Sequence, residues 1–357
     1  MKQFIFSFAQ CNSYKVRSIG RLSAEWFAST FLILINHKRL ASFLATWLPL
    51  FRLHTVETRV PRELRPFRLL TRIMQPILIH RGPCLHYDAN TDELFVAAPM
   101  QRTVNVMSTA ATNSPNAPPR PVYTAPPPAE PSSVCLVRQT GTLLVANVAD
   151  RNREGQVGFS LVALSRDEQQ WRQQSELQVS IETRSNSFLN STLCESNDFN
   201  VLLGAYMSRQ LLVLRLTPAH RLALLRKLET REPYYSYSVN CAGVEKRPLV
   251  ALTLVSLNTV SVNRLLEDRL EPLAHLRLDL WPSFVLWCGE HLLLTDKSKN
   301  TDMTLIVELD TARTPLARAS ELLPRAAGVQ LRTWCADGER VCVWDENSND
   351  ILVYSIY

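Results

Sequence analysis

The sequence has little glycine, with only 10 such residues in 357. Neither G-x-x-x-x-G-K-[ST] nor G-x-G-x-x-G occurs in it. Both motifs need glycine where the backbone approaches a phosphate, so phosphate-binding loops of these two kinds are excluded. No apolar run reaches the ~20 residues that a membrane-spanning helix needs. Cysteine pairs at C-x-x-C spacing, which would indicate a local zinc site, are also absent.

Apolar side chains are plentiful, at 46% of the residues, which is enough for one large domain or two ordinary ones with packed cores. Charge is unevenly distributed. The first 80 residues contain 12 Lys and Arg against 3 acidic residues, a net charge of +9, whereas residues 81–357 contain 27 against 30, a net charge of −3. Because the larger part is mildly acidic, no nucleic-acid partner is expected.

Residues 1–60 form a basic, apolar extension that differs in composition from the rest of the chain. Three interpretations remain open: an organelle presequence, an amphipathic segment that contacts a membrane surface, or a poorly ordered extension without an address. We predict that this segment is mostly helical or disordered. The third interpretation favours a cytoplasmic protein, and the other two favour an organelle-targeted or membrane-associated one.

A repeat is marked by six of the eight cysteines, which recur at intervals of 51, 59, 47, 47 and 47 residues. These six are Cys84, Cys135, Cys194, Cys241, Cys288 and Cys335. Each is followed by short apolar segments separated by polar turns, as expected of strands and hairpins. Three or four strands in about 47 residues is the size of one propeller blade. The fold class is therefore predicted to be all-β, a six-bladed β-propeller over residues 61–357.

Closure of the ring needs one further strand, because the last repeat contains only three strands before the chain ends at Tyr357. An unpaired strand edge invites aggregation, so propellers avoid leaving one open. The apolar segment Phe67–Ile79 precedes the first repeat, and Pro66 and Pro76 suit an outer strand. Residues 61–80 are therefore predicted to supply the closing strand.

Residues 111–133 contain 8 prolines in 23 positions. Proline has no backbone N–H to donate within a sheet, so this stretch is predicted to be an extended surface loop. It lengthens the first interval of the repeat.

The strand, acidic turn and strand over residues 341–354 resemble the six-bladed propellers of the NHL and SMP-30 type, and residues 292–296 and 93–97 echo the pattern. The resemblance is one of architecture. Propellers of this kind include lactonases, peptide-processing domains, receptor modules and binding platforms, so the fold alone does not assign a function.

The SMP-30 resemblance implies a metal in the central channel, held by Glu, Asn and Asp side chains. Asn190, Asn240 and His86 lie near the starts of inner segments and could face a channel, but no complete acidic ligand set aligns. We therefore assign no catalytic, metal or cofactor-binding residue.

The repeated cysteines could bind metal or sense redox state. Repeat position instead favours small, buried and reduced side chains that pack between strands.

Two segments are candidate interaction surfaces. Tyr234, Tyr235 and Tyr237 could anchor a partner if exposed, or pack between blades. Pro118, Pro119 and Pro121 could dock as an extended helix in an aromatic groove, or form a passive loop.

The sequence favours a non-enzymatic protein-interaction platform that binds a protein or peptide on a propeller face and needs no cofactor. Membrane contact through residues 1–60 stays open. The alternative function is a metal-dependent hydrolase of the lactonase or esterase kind, with its site in the channel.

Overall fold

The computed structural model describes residues 68–73, 84–109, 119–151, 155–168, 170–183, 191–196, 199–240, 248–255, 259–277, 282–288, 291–296, 304–310, 314–319, 331–337, 340–345 and 350–355. The chain divides into two units between Glu57 and Thr58, and the described residues belong to the second. The predicted helical or disordered extension, residues 1–60, lies outside the described residues.

The described residues form 23 β-strands and one 3-10 turn, Pro99–Gln101. The first nine strands are β1 (Arg68–Ile73), β2 (Cys84–Asp88), β3 (Glu93–Ala98), β4 (Thr103–Ser108), β5 (Arg120–Thr124), β6 (Glu130–Val137), β7 (Thr142–Arg151), β8 (Gln156–Asp167) and β9 (Gln170–Glu182). The next seven are β10 (Ser191–Glu195), β11 (Asn200–Ala205), β12 (Ser208–Leu216), β13 (Leu222–Asn240), β14 (Leu249–Leu254), β15 (Thr259–Leu265) and β16 (Leu270–Arg277). The last seven are β17 (Pro282–Cys288), β18 (His291–Asp296), β19 (Thr304–Asp310), β20 (Thr314–Ala319), β21 (Leu331–Asp337), β22 (Arg340–Asp345) and β23 (Asp350–Ser355).

These strands form six antiparallel groups of four. Blade 1 is β2–β5, blade 2 is β6–β9, blade 5 is β17–β20, and blade 6 is β21–β23 with β1. Blades 3 and 4 share one seven-stranded sheet, β10–β16. The first strand of each blade contacts the first strands of both neighbouring blades, through β2, β6, β10, β13, β17, β21 and back to β2. This closed cycle confirms the predicted six-bladed propeller.

Blades 3 and 4 are joined by β13, a single strand of 19 residues. Its first half pairs with β12 as the outermost strand of blade 3. Its second half, from Tyr234 onward, pairs with β14 as the first strand of blade 4. The chain therefore passes from the rim to the centre without a loop.

The hydrophobic core lies between neighbouring blades, because each sheet buries both faces. Separate clusters fill the interfaces of blades 6 and 1, 1 and 2, 2 and 3, 3 and 4, and 4 and 5. Cys84, Cys135, Cys194 and Cys335 all lie on first strands and pack toward the following blade. This packing explains the cysteine repeat at these four positions. Cys241 lies outside the described residues.

Hydroxyl side chains tie some first strands together. The Oγ of Ser133 accepts a hydrogen bond from the backbone N–H of Leu193, at 2.8 Å, and that of Ser238 accepts one from Trp287, at 3.0 Å. A first strand has no strand partner on its inner edge, and buried N–H groups need an acceptor. These serines supply it across the blade boundary.

The first strand of the described residues, β1, pairs antiparallel with the last one, β23. Ile73 packs against the core cluster between blades 6 and 1. Arg72 forms an ion pair with Asp350, whose carboxylate is buried. Blade 6 is thus built from both ends of the propeller sequence.

The structure corrects the prediction that residues 111–133 form a surface loop. Of the described residues in this stretch, 120–124 form β5 and 130–133 begin β6, so the surface-loop prediction for 111–133 is wrong for these parts. β5 is the outermost strand of blade 1, where one edge needs no donor, and proline is tolerated there. Residues 111–118 lie outside the described residues.

No helix within the described ranges has the length and hydropathy to cross a membrane.

Candidate interaction surface

The outermost strands share one irregularity. In five of the six blades, the pairing of the third and fourth strands skips one residue of the fourth strand, which is a β-bulge. The residues skipped are Val122, Gln174, Leu225, Leu273 and Leu70 in blades 1, 2, 3, 4 and 6. A bulge twists an edge strand away from further pairing, so these bulges protect the rim from edge-to-edge association.

Three of these five skipped residues are exposed leucines. Leu225, Leu273 and Leu70 expose 42%, 45% and 45% of their surface. Leu224, beside the blade 3 bulge, exposes 37%. Leucine is usually buried, and here the bulge turns it outward.

Blades 3 and 4 place three exposed leucines on adjoining strands, Leu224 and Leu225 on β13 and Leu273 on β16. The two strands contact each other. Arg226 of β13 donates a hydrogen bond to the carbonyl of Leu266, just before β16, at 3.5 Å. We call Leu224, Leu225 and Leu273 the rim patch.

Two of the predicted surface tyrosines are buried. Tyr234 and Tyr237 are 1% and 2% exposed, with their rings edge to face at 5.9 Å. Their hydroxyls donate to the carbonyl oxygens of Gln210 and Leu202, at 2.6 and 2.8 Å. The surface prediction is therefore wrong for these two residues, because blade 4 packs them against blade 3. The packing alternative holds.

Tyr235 is half-buried, and its ring lies 5.4 Å from that of Tyr206. Pro119 is half-buried and Pro121 is exposed in β5. Pro118 lies outside the described residues. Contact of these residues with a partner stays a prediction.

A polar cluster joins blades 6 and 1 at the turn between β2 and β3. Arg340 forms an ion pair with Asp92 and donates to the hydroxyl of Tyr87, at 2.7 Å. That hydroxyl donates to Asp92, at 2.6 Å. Burial, together with the hydrogen bond to Asp92, raises the pKa of Tyr87 to about 12. The cluster connects blades and holds the hydroxyl protonated.

The buried tyrosines Tyr87, Tyr234 and Tyr237 should lower the stability of the protein at alkaline pH. Burial raises the pKa of Tyr234 and of Tyr237 as well. An unfolded tyrosine ionises near pH 10, so the unfolded state loses protons first and the native state becomes less stable as the pH rises above about 10. Urea unfolding at pH 8, 9, 10 and 11 should show a free energy of unfolding that falls modestly between pH 8 and 9, because the buried Cys84 thiol ionises more readily in the unfolded chain, and falls steeply above pH 10, where the tyrosines add to it.

Tyr237→Phe is the control for this pH dependence. The variant loses one hydrogen bond at every pH, but it also removes one of the titrating groups. Its free energy of unfolding should fall less steeply between pH 10 and 11 than that of the wild type. Equal slopes would contradict the assignment.

Two of the three residues that could face a central channel, His86 and Asn240, belong to the described part of the chain. His86 and Asn240 are half-buried, on β2 and at the end of β13, and Asn190 lies outside the described residues. Among the described side chains, no group of three or more His, Cys, Asp and Glu could hold a metal ion. Burial raises the pKa of the Cys84 thiol, which disfavours the reactive thiolate.

The rim patch was missed by the sequence reasoning. Residues 223–225 read Ala-Leu-Leu, an interruption of the strict alternation expected of a half-buried strand. The skipped residues of blades 1 to 4 are 52, 51 and 48 positions apart, close to the blade length of about 47 residues predicted from the cysteine spacing. An interruption of alternation that recurs at this spacing is a signal that could have located these bulges.

Comparison with known proteins supports the fold alone. No family model and no curated protein matches the chain. A protein of unknown function from Desulfotomaculum acetoxidans is 10% identical with a TM-score of 0.54, covering 83% of this chain and 91% of its own. A putative glucose dehydrogenase from Thermus thermophilus is 12% identical with a TM-score of 0.53, covering 81% and 99%. The periplasmic gluconolactonase of Pseudomonas aeruginosa is 16% identical with a TM-score of 0.51, covering 76% and 80%. The predicted resemblance to β-propellers is confirmed at the level of architecture.

Proposed function

We propose that this chain is a non-enzymatic protein-interaction platform and that the rim patch is its docking surface. The observation that supports the proposal is the exposure of Leu224, Leu225 and Leu273 on two contacting outermost strands. Removal of apolar surface from water supplies much of the driving force of protein association. The proposed compartment is the cytoplasm, where cysteine side chains stay reduced.

The rigidity of the scaffold supports the same proposal. β13 runs from the rim of blade 3 to the centre of blade 4 as one strand, and the half-buried Arg226 links it to the turn before β16. A surface held in one conformation loses little entropy on binding. The rim patch is therefore preorganised.

The test compares the proteins captured by full-length chains carrying the same tag. Leu224→Ser, Leu225→Ser and Leu273→Ser are combined in one variant, with Leu70→Ser as the matched control. Leu70 occupies the equivalent bulge of blade 6 and has the same exposure as Leu273. Substitutions at exposed positions usually change stability by less than about 0.5 kcal/mol, which thermal melts of both variants would verify.

We expect the Leu70→Ser variant to capture the same proteins as the wild type. The triple variant should capture at least tenfold less of each of them. The same enriched set with both variants would overturn the docking surface. Hydrolysis of lactones or esters by the purified chain with divalent ions would overturn the non-enzymatic assignment in favour of the hydrolase alternative.

A further inference from the structure

The rim patch is flanked on its blade 3 side by an excess of positive charge. Residues 208–232, the outer hairpin of blade 3, contain six Lys and Arg against two Glu, a net charge of +4. This contrasts with the net charge of −3 over residues 81–357. Five of the six cations are exposed, namely Arg209, Arg215, Arg221, Lys227 and Arg231.

The cations closest in sequence to the exposed leucines are the most relevant. Lys227 follows Leu224 and Leu225 on β13, Arg221 directly precedes that strand, and Arg215 is paired with Ala223, next to Leu224. The hairpin of blade 4 that carries Leu273, residues 259–277, has three arginines against three acidic residues, so the positive charge beside the rim patch comes from blade 3. On that side, the exposed leucines bordered by cations match a ligand whose apolar side chains are bordered by carboxylates.

Residues 1–57 carry seven Lys and Arg against two Glu, a net charge of +5, which is not the charge of an acidic ligand. A second copy docked by a twofold axis would place the same basic hairpin against itself. Charge therefore favours a different protein.

The edge of β13 indicates how that ligand is held. The bulge at Leu225 interrupts the regular hydrogen-bonding edge, and an exposed lysine follows it. Bulges and edge lysines both disfavour addition of another strand. Recognition by side chains is therefore favoured over strand addition.

We propose that the rim patch and the outer hairpin of blade 3 bind an acidic linear segment of a partner protein, in which leucine-like anchors alternate with Asp or Glu. The inference rests on the proposed function and specifies its ligand. The anchors contact Leu224, Leu225 and Leu273, and the carboxylates face Arg215, Arg221 and Lys227.

Such binding depends on salt. Each exposed ion pair contributes little, but several together steer association and are weakened by salt because the screening length shortens. The ligand should therefore bind more weakly as ionic strength rises, whereas the leucine contacts persist.

The test uses three labelled peptides of equal length with leucine at the same positions and glutamate, glutamine or lysine between them. Fluorescence anisotropy with the full-length chain measures their affinities at low and high salt. We expect the glutamate peptide to bind at least tenfold more tightly than the glutamine peptide at low salt, and this difference to shrink at high salt. Equal affinities for all three peptides would overturn the proposal.

Two charge-reversal variants localise the binding. Arg221→Glu with Lys227→Glu should weaken binding of the glutamate peptide at least tenfold. Arg172→Glu is the matched control, because Arg172 is exposed on the outermost strand of blade 2, and it should change binding less than twofold. Equal losses in both variants would overturn the assignment to blade 3.

Vesicles that contain phosphatidylserine provide the competing ligand. We expect the full-length chain to bind them equally with and without the two charge reversals. If these reversals abolish vesicle binding and leave peptide binding unchanged, the surface recognises lipid and the proposal is overturned.

The outcomes separate this inference from the proposed function. Failure of the glutamate peptide, with captured proteins still lost from the leucine triple variant, overturns the acidic ligand and leaves the platform in place. If the leucine triple variant still captures these proteins, the proposed function as an interaction platform with its docking surface at the rim patch is overturned.

Discussion

Removal of residues 1–80 is expected to lower the free energy of unfolding by roughly 3 kcal/mol relative to removal of residues 1–60. The longer deletion removes β1, the fourth strand of blade 6. Burial of a side chain such as Ile73 is worth about 1.5–3 kcal/mol. Loss of Arg72 also removes the cation paired with Asp350, and because the Arg72 side chain is 54% exposed, this pair adds about 0–1 kcal/mol.

Urea unfolding and size-exclusion chromatography of the two truncated chains measure this effect. Loss of β1 also opens the edge of β23, so the shorter chain should associate at high concentration. Arg72→Gln in the full-length chain is a milder test that removes the cation and keeps the strand, and it should destabilise in the same direction. Identical unfolding curves for the two truncations would show that β1 does not stabilise the ring.

Gly204→Ala is expected to destabilise the propeller by about 3 kcal/mol. A Cβ at this position would lie 2.6 Å from the hydroxyl oxygen of Tyr234 and 2.8 Å from Cδ2 of Leu211, and it would also overlap the ring of Tyr237. The tyrosines cannot move aside without losing buried hydrogen bonds to carbonyl oxygens. Glycine at position 204 is what allows blades 3 and 4 to pack at this point.

Gly141→Ala is the matched control for this substitution. Gly141 has a φ of +60° and nothing within 4 Å of a Cβ, so alanine there meets only the left-handed backbone penalty of about 1–2 kcal/mol. Urea unfolding should rank Gly204→Ala as clearly more destabilising. A cost at position 204 no larger than at position 141 would contradict the packing argument.

The rim bulges connect stability with the proposed function. A propeller exposes the outer edge of each blade, and a bulge blunts that edge. The same bulge turns one side chain outward, and in blades 3, 4 and 6 that side chain is leucine. A feature that prevents unspecific strand pairing thus also creates positions at which specific contacts are made.

Much of the fold could be predicted from the sequence because its signals are local. The cysteine spacing located the first strands, and apolar runs after each cysteine located the second and third ones. The segment before the first repeat was recognised as the partner of the last strand because an open ring needs one more strand. The continuity of β13 was not predicted, since residues 229–233 are polar and read as a break between two strands.

The candidate surface could not be predicted in the same way. Tyr234, Tyr235 and Tyr237 look alike in sequence, yet two of them are buried because blade 3 covers them. Leu225 and Leu273 look like core residues of a strand, yet a skipped pairing exposes both. Exposure at these positions depends on register with the neighbouring strand, where a shift of one residue exchanges the two faces.

The amino-acid sequence by itself determined the number of blades, the place of most strands and the basic charge beside the rim, since periodicity, spacing and charge are properties of the chain. Only the tertiary structure decided which leucines face solvent, which tyrosines are buried and why residue 204 is glycine. Each of these depends on atoms brought together from distant parts of the chain, and side-chain burial is decided by those neighbours.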